Sequence, residues 1–114
     1  MSLKITVKEI NDIVVIELIG TLDTNTSPEA EDEILISLEK GAKKMVLDLE
    51  NTRYVSSAGL RIFLATAKRI MANSGSVILC NPNVIVKEIL DVSGFSTILD
   101  VKVSLEEAIE VFEN

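Results

Sequence analysis

The chain has 114 residues, a formal net charge of −7 and a hydrophobic fraction of 47%. This length suits one domain over residues 1–114, and the hydrophobic fraction argues against a disordered chain. An acidic chain without a cluster of lysine and arginine binds nucleic acid and anionic membranes poorly, so neither is expected as a partner.

The chain has a single cysteine, Cys80, and no histidine. These counts exclude an internal disulfide and the usual zinc sites, and neither a metal nor a cofactor is expected. Cys80 ends an apolar run, which predicts a buried and inert thiol. The N-terminus lacks the apolar core of a signal peptide, and the apolar stretch 13–19 is too short to span a membrane, so we expect a cytoplasmic protein.

The chain opens with two predicted strands. Apolar and polar residues alternate over residues 3–8, the turn pair Asn11-Asp12 follows, and residues 13–19 are apolar on both strand faces. This pattern predicts an antiparallel hairpin whose second strand is the more central one.

A helix and a strand follow. Residues 26–29 combine a hydroxyl cap, a proline and a glutamate, as at a helix start. Gly41 stands where such a helix would end, and residues 45–49 predict a strand. The buried stripe of the helix is predicted at Ala30, Ile34, Leu35 and Leu38.

The second half alternates helices and strands. Gly75 ends a second predicted helix, residues 77–80 predict a buried strand, and Asn81-Pro82 opens a third helix that Gly94 closes. Residues 97–103 predict an edge strand, and residues 104–107 form a capping box for a last helix. The apolar positions of the second helix are Leu60, Phe63, Leu64, Ala67, Ile70 and Met71.

The order of these elements is β-β-α-β-α-β-α-β-α. Strands that alternate with helices form parallel sheets through right-handed crossovers. We therefore expect an α/β domain with a mixed, mostly parallel sheet, about four helices and a hairpin at its start.

Enzyme motifs are incomplete in this chain. A Ser-His-Asp triad is impossible without histidine, and the nucleophile elbow lacks its first glycine because residue 55 is Val. Neither Gly-x-x-x-x-Gly-Lys nor Gly-x-Gly-x-x-Gly, the two glycine motifs that bind phosphate, is present. Asp48 lies within a predicted strand and is interpreted as a partly buried, hydrogen-bonded carboxylate. We do not expect an enzyme.

Two serines, Ser56 and Ser57, stand where a strand runs into the second helix. Either hydroxyl could simply cap the helix, and a phosphate there would also lie in the favourable field of the helix dipole. Gly59 is unusual in a first helical turn, where glycine is costly relative to alanine and is tolerated best where another backbone must approach closely. Val55 and Leu60 are expected to anchor this turn from within while its tip stays exposed.

Residues 56–60, Ser-Ser-Ala-Gly-Leu, resemble the phosphorylation-site motif of STAS domains, in particular the anti-sigma factor antagonists. The usual pattern there is Asp-Ser-[Ser/Ala/Thr]-Gly-Leu, with the serine after Asp phosphorylated. Residues 20–23, Gly-Thr-Leu-Asp, resemble the family's Gly-x-[Leu/Ile]-Asp, and residues 91–95 are similar to its sequence at the end of the third helix. The resemblance spans essentially the whole chain and implies a single STAS-type domain.

The resemblance implies that Ser57 is phosphorylated. Ser56 stays open as the alternative, because most relatives have Asp at this position. The implied partner-binding residues are Asp23, Ser56, Ser57, Ala58, Gly59 and Leu60.

The implied mechanism is partner switching in the regulation of transcription. The unphosphorylated protein would bind an anti-sigma factor serine/threonine kinase, phosphorylation would release it, and a PP2C-type phosphatase would reset it. Such a protein is a substrate and a binding module, and it is expected to be a monomer or a weak dimer. The alternative is a STAS-type scaffold or small-ligand sensor in a larger regulatory assembly.

Overall fold

The structure is a computed structural model that describes residues 3–114. Met1 and Ser2, which the predicted domain includes, lie outside the described residues. The elements in chain order are β1 (Lys4–Ile10), β2 (Ile13–Leu22), α1 (Ser27–Glu39), β3 (Lys44–Asp48), β4 (Thr52–Val55), α2 (Ser57–Ala72), β5 (Ser76–Cys80), α3 (Val84–Val92), a short 3-10 helix (Phe95–Thr97), β6 (Asp100–Lys102) and α4 (Leu105–Glu113).

The strands form a mixed sheet in the order β1-β2-β3-β5-β6. The hairpin β1–β2 is antiparallel, and the other pairs are parallel. The predicted hairpin and the mostly parallel sheet are confirmed, and β2 is the central strand of the pair.

Each crossover from β2 to β3, β5 and β6 moves in the same direction across the sheet. Right-handed crossovers that advance in one direction place their helices on one face of the sheet. The main core accordingly joins that face to α1, α2 and α3 through residues such as Ile34, Phe63 and Leu90. A second, smaller core forms on the opposite face, where Ala108 of α4 packs with Val46 and Ile78.

Three local predictions were wrong. The third helix begins at Val84, because Asn83 rather than Asn81 is its N-cap and accepts a hydrogen bond from the amide of Val86 at 2.7 Å. The last strand covers only Asp100–Lys102, since the residues before it form the 3-10 helix. In α1 the predicted stripe is confirmed at Ala30 and Ile34 and Leu38 packs half-buried against the main core, but Leu35 is only half-buried and the unpredicted Ser37 is buried.

The short strand β4 was not predicted. It pairs in parallel with the end of β2, after a register shift between Gly20 and Thr21. Its first residue, Thr52, is buried and donates its hydroxyl to the carbonyl of Leu18 at 2.5 Å. Thr, Tyr and Val in this stretch are residues that favour strands, and that was the available signal.

Within residues 3–114, the structure contains no helix long and apolar enough to cross a membrane.

Candidate functional site

The pairing of β2 with β4 brings the two predicted site segments together. Leu22 lies opposite Val55, and the amide of Ser56 donates to the carbonyl of Leu22 at 2.8 Å. Asp23 and Ser56 therefore follow two adjacent strand ends. Helix α1 starts at Ser27, after a short loop, and α2 starts directly after Ser56, so both helices begin at the ends of these adjacent strands.

The loop before α1 is built around Asp23 and Thr26. Oδ1 of Asp23 accepts hydrogen bonds from the amides of Asn25 and Thr26, at 2.9 and 3.1 Å. Thr26 stands at the N-cap of α1, yet its hydroxyl makes no capping bond and donates to the carbonyl of Thr21 at 2.8 Å. The prediction that the Thr26 hydroxyl caps α1 is thus wrong, because this hydroxyl bonds the loop to β2 instead.

The two serines have different environments. Ser56 is the N-cap residue of α2, and its side chain makes no capping hydrogen bond. Its Oγ is buried and has no hydrogen-bond partner within residues 3–114. Ser57, the first residue of α2, is exposed. The capping interpretation therefore fails for Ser56, and Ser57 is the serine that solvent reaches.

Gly59 is buried beneath this tip for a steric reason. A Cβ at this position would lie 2.8 Å from side-chain carbons of both Leu22 and Val55. The prediction that another backbone approaches Gly59 is wrong, because the atoms that crowd this position belong to strand side chains. Val55 and Leu60 are buried, as predicted, and Ala58 is half-buried.

The first turn of α2 has no acidic residue. Free amides and the helix dipole make a helix N-terminus locally positive. An added negative charge on Ser57 would therefore meet a favourable field from α2.

The carboxylate of Asp48 is held by hydrogen bonds within the fold. Asp48 is buried, as expected, and Oδ1 accepts from the amide of Glu50 at 3.1 Å and from Nδ2 of Asn81 at 3.2 Å. Its carboxylate lies within 4.8 Å of those of Glu17 and Glu50, in a group whose geometry could hold a metal ion. These carboxylates are not among the predicted site residues.

Cys80 is buried in the smaller core, as predicted. Burial raises the pKa of its thiol to about 12, and the nearby carboxylate of Asp48 adds to the increase. The thiolate is the reactive form of cysteine, so this thiol is unreactive in the folded protein.

A family model described as "STAS domain" matches residues 4–108. The chain is 33% identical over 111 residues to BtrV of Bordetella bronchiseptica, whose name describes it as an anti-sigma factor antagonist, and the match covers 97% of this chain and 96% of BtrV. A Thermotoga maritima structure with the same description superposes with a TM-score of 0.92, at 22% identity and with 96% and 95% of the two chains covered.

The fold also matches the unphosphorylated anti-sigma factor antagonist SpoIIAA, with a TM-score of 0.83, 24% identity and 96% of each chain covered. The phosphorylated form of SpoIIAA from Bacillus gives a TM-score of 0.74 at 23% identity, with 96% of this chain and 99% of SpoIIAA covered. The resemblance inferred from three short motifs is thereby confirmed over nearly the full length, and this chain belongs to the STAS domain family.

Proposed function

We propose that this protein is an anti-sigma factor antagonist whose binding to an anti-sigma factor kinase is switched by phosphorylation of Ser57. The observation that carries the proposal is the contrast between the two serines. Ser57 is exposed on the first turn of α2, whereas Oγ of Ser56 is buried. A kinase must reach the hydroxyl that it modifies, so the exposed serine is the better acceptor.

The relatives support this role. BtrV carries the name of an anti-sigma factor antagonist, and SpoIIAA has been solved in an unphosphorylated and a phosphorylated form. A protein with the same fold thus exists in the two states that the proposal requires. The proposal extends these two states to this chain and assigns the phosphate to Ser57.

Docking would use the exposed tip formed by the Asp23 loop and Ser57. Gly59 and Leu60 are buried, so they would support the tip from inside while Ala58 is partly accessible. Asp23 uses Oδ1 for its loop bonds, which leaves Oδ2 as an acceptor for a basic group of the partner. The loop is held by hydrogen bonds at both ends, so little ordering would be needed on binding.

Phosphorylation would act on the interface rather than on the fold. A phosphate adds about −1.5 to −2 charges at pH 7 and stands at the positive end of α2. The fold would tolerate the phosphate there. Its bulk, and its negative charge on the tip that also carries Asp23, would block the docking of the partner. The kinase supplies ATP and the catalytic base, Ser57 Oγ forms the new bond to the γ-phosphorus, and ADP leaves.

In this cycle the chain would be a substrate and a binding module, without catalysis of its own. A PP2C-type phosphatase would remove the phosphate and return the protein to the binding state. The chain has no histidine that could act as a base beside Ser57, and the proposal therefore assigns the base to the kinase.

The test is capture from a lysate of the source organism on immobilised wild type, Ser57→Ala, Ser57→Asp and Ser56→Ala. Wild type and both alanine variants are expected to retain an ATP-binding kinase, which mass spectrometry identifies. Ser57→Asp is expected to bind that kinase at least about 100-fold more weakly, or about 2.7 kcal/mol. Incubation with ATP and the captured kinase should then phosphorylate Ser57 in wild type and in Ser56→Ala.

A neutral variant, Ser57→Asn, separates charge from size and is expected to bind more tightly than Ser57→Asp. Each variant must first keep the far-UV circular dichroism and the melting temperature of wild type. Identical partners on all four surfaces would contradict the switch and favour the scaffold alternative. Phosphate on Ser56 would contradict the assignment of the acceptor.

A further inference from the structure

The outer strand β1 leaves one backbone edge of the sheet unpaired within residues 3–114. Its seven residues pair with β2 alone, in a register without shifts, and contain no proline. Every second residue of such a strand turns its N–H and C=O away from its neighbour. A long and regular edge of this kind is a template for another strand, and natural proteins usually interrupt it.

Two clefts lie beside this edge, between β1 and α1, and together they are called the groove. At one end Leu3 and Ile5 line a cleft of about 380 Å³, and at the other end Val7 and Val14 line a cleft of about 410 Å³. Val7 is 45% exposed although it lies on the strand face that carries the main core. The groove is therefore apolar along its floor and open to solvent.

Helix α1 also carries an exposed apolar residue. Ile36 is 44% exposed and lies on the same helix face as Glu33 and Lys40, which line the two ends of the groove. Val7 and Ile36 are thus exposed apolar side chains on the two elements that border the groove.

The two ends of the groove carry different charges. Glu29, Asp32 and Glu33 lie at the end with Ile5. Lys40 and Lys43 line the other end, where Glu9 is the remaining unpaired carboxylate, because Asp12 is 3.1 Å from Lys44.

A two-fold axis through Val7 would place the acidic end of one copy against the lysine end of a second copy. An isologous interface needs this kind of self-complementary surface.

The side chains of β1 select one antiparallel register. With Val7 opposite Val7 of a second copy, Lys8 lies opposite Thr6 and Lys4 lies opposite Ile10. In the same register Glu9 lies opposite Ile5, so all seven residues pair and no two like charges stand directly opposite each other.

The neighbouring symmetric registers fail this test. Centring the pair on Thr6 places Lys4 opposite Lys8, and centring it on Lys8 places two copies of Lys8 opposite each other. Like charges directly across a strand pair are destabilising.

We propose that two copies of this chain associate through β1, antiparallel and centred on Val7, and form one continuous sheet. The second copy thus lies with its β1 strand along the free edge of β1, next to the groove. One strand pair and a few side chains bury less surface than a standard stable interface, so the dimer is weak and forms at high concentration. This proposal does not depend on the role of Ser57.

Sedimentation equilibrium of the full chain, at concentrations from about 20 µM to 1 mM, tests the proposal. The apparent mass of wild type is expected to rise from 12.5 kDa toward twice that value. Val7→Lys places two ammonium groups opposite each other at the axis and is expected to weaken the association at least tenfold. Val103→Lys is the matched control, because Val103 is 70% exposed and lies beyond β6, and it should behave as wild type.

Amide hydrogen exchange of wild type gives a second measurement that does not rely on a variant. Alternate amides of β1 are expected to gain protection as the concentration rises, while amides of β6 do not. A mass that stays at 12.5 kDa over the whole range would overturn the proposal. An equal loss in both lysine variants, or concentration-dependent protection outside β1, would overturn it as well.

Discussion

At the scale of single residues, the site depends on which atoms are buried. Ser56 and Ser57 are adjacent and chemically identical, but Oγ of Ser56 is enclosed and Ser57 is exposed. Gly59 lets the tip of α2 sit directly on the side chains of Leu22 and Val55. The position of the exposed serine is therefore fixed by the absence of a side chain two residues later.

Gly59→Ala tests this close packing. The added methyl group would lie 2.8 Å from the buried side chains of Leu22 and Val55, and overpacking of this kind costs about 1–3 kcal/mol. The higher helix propensity of alanine offsets up to about 1 kcal/mol of this cost. We therefore expect urea denaturation to show a free energy of unfolding that is lower by about 1–2 kcal/mol. Lys68→Gly compared with Lys68→Ala gives the propensity difference at an exposed position of α2. If Gly59→Ala stabilises the protein by that difference, the packing argument is wrong.

At the scale of elements, the helices begin in different ways. Asn83 and Ser104 cap α3 and α4, since their side chains accept hydrogen bonds from Val86 and Glu107 at 2.7 and 3.1 Å. The N-cap side chains of α1 and α2, Thr26 and Ser56, make no such bond. The two uncapped helices are those that begin at the candidate site. In α1 the amides of Ser27 and Glu29 donate to the carbonyls of Asp23 and Thr26, so within residues 3–114 it is the N-terminus of α2 that keeps free amides for a charged group.

Alanine variants of three cap residues separate these cases. Ser104→Ala and Asn83→Ala each remove a real cap and are expected to cost about 1 kcal/mol, with Asn83 at the higher end because it also donates to the carbonyl of Thr52 at 3.0 Å. Ser56→Ala removes a buried hydroxyl without a partner and is expected to leave stability unchanged or slightly raised. Chemical denaturation of the three variants checks the order. A loss of about 1 kcal/mol in Ser56→Ala would mean that its hydroxyl does cap α2.

At the scale of the whole molecule, the sheet separates two cores of unequal size. The larger core joins three helices to one face, and the smaller one joins α4 to the other and contains Cys80. A group buried at that depth couples its own ionisation to the unfolding of the whole chain.

The raised pKa of the Cys80 thiol predicts how the free energy of unfolding changes with pH. Its pKa is about 12 in the folded protein, chiefly because of burial, and near 8.5 in an unfolded chain. Between these two pKa values the unfolded state binds fewer protons than the folded state. The contribution of the thiol to the free energy of unfolding is therefore complete below about pH 8.5 and is lost as the pH rises. The loss amounts to at most about 1.4 kcal/mol per pH unit. Urea denaturation at pH 8, 9 and 10 should give a steeper decline for wild type than for Cys80→Ala. Parallel declines would show that the thiol makes no contribution.

The sequence alone determined the elements that depend on local pattern. Period-two alternation in β1, regular apolar spacing in α2 and the capping box before α4 each carry their signal within a few residues. The motifs at 20–23, 56–60 and 91–95 were also sufficient to predict the family and the position of the candidate serine.

Only the tertiary structure decided how distant segments meet. The pairing of β4 with β2 joins Asp23 to Ser56 through contacts between residues more than thirty positions apart, which local pattern does not encode. The packed structure also decides that Oγ of Ser56 is buried, that Ser57 is exposed and that the Thr26 hydroxyl donates to the carbonyl of Thr21 instead of capping α1. Burial and hydrogen bonding depend on the whole packed fold, because each residue's solvent exposure is set by neighbours that come from elsewhere in the chain.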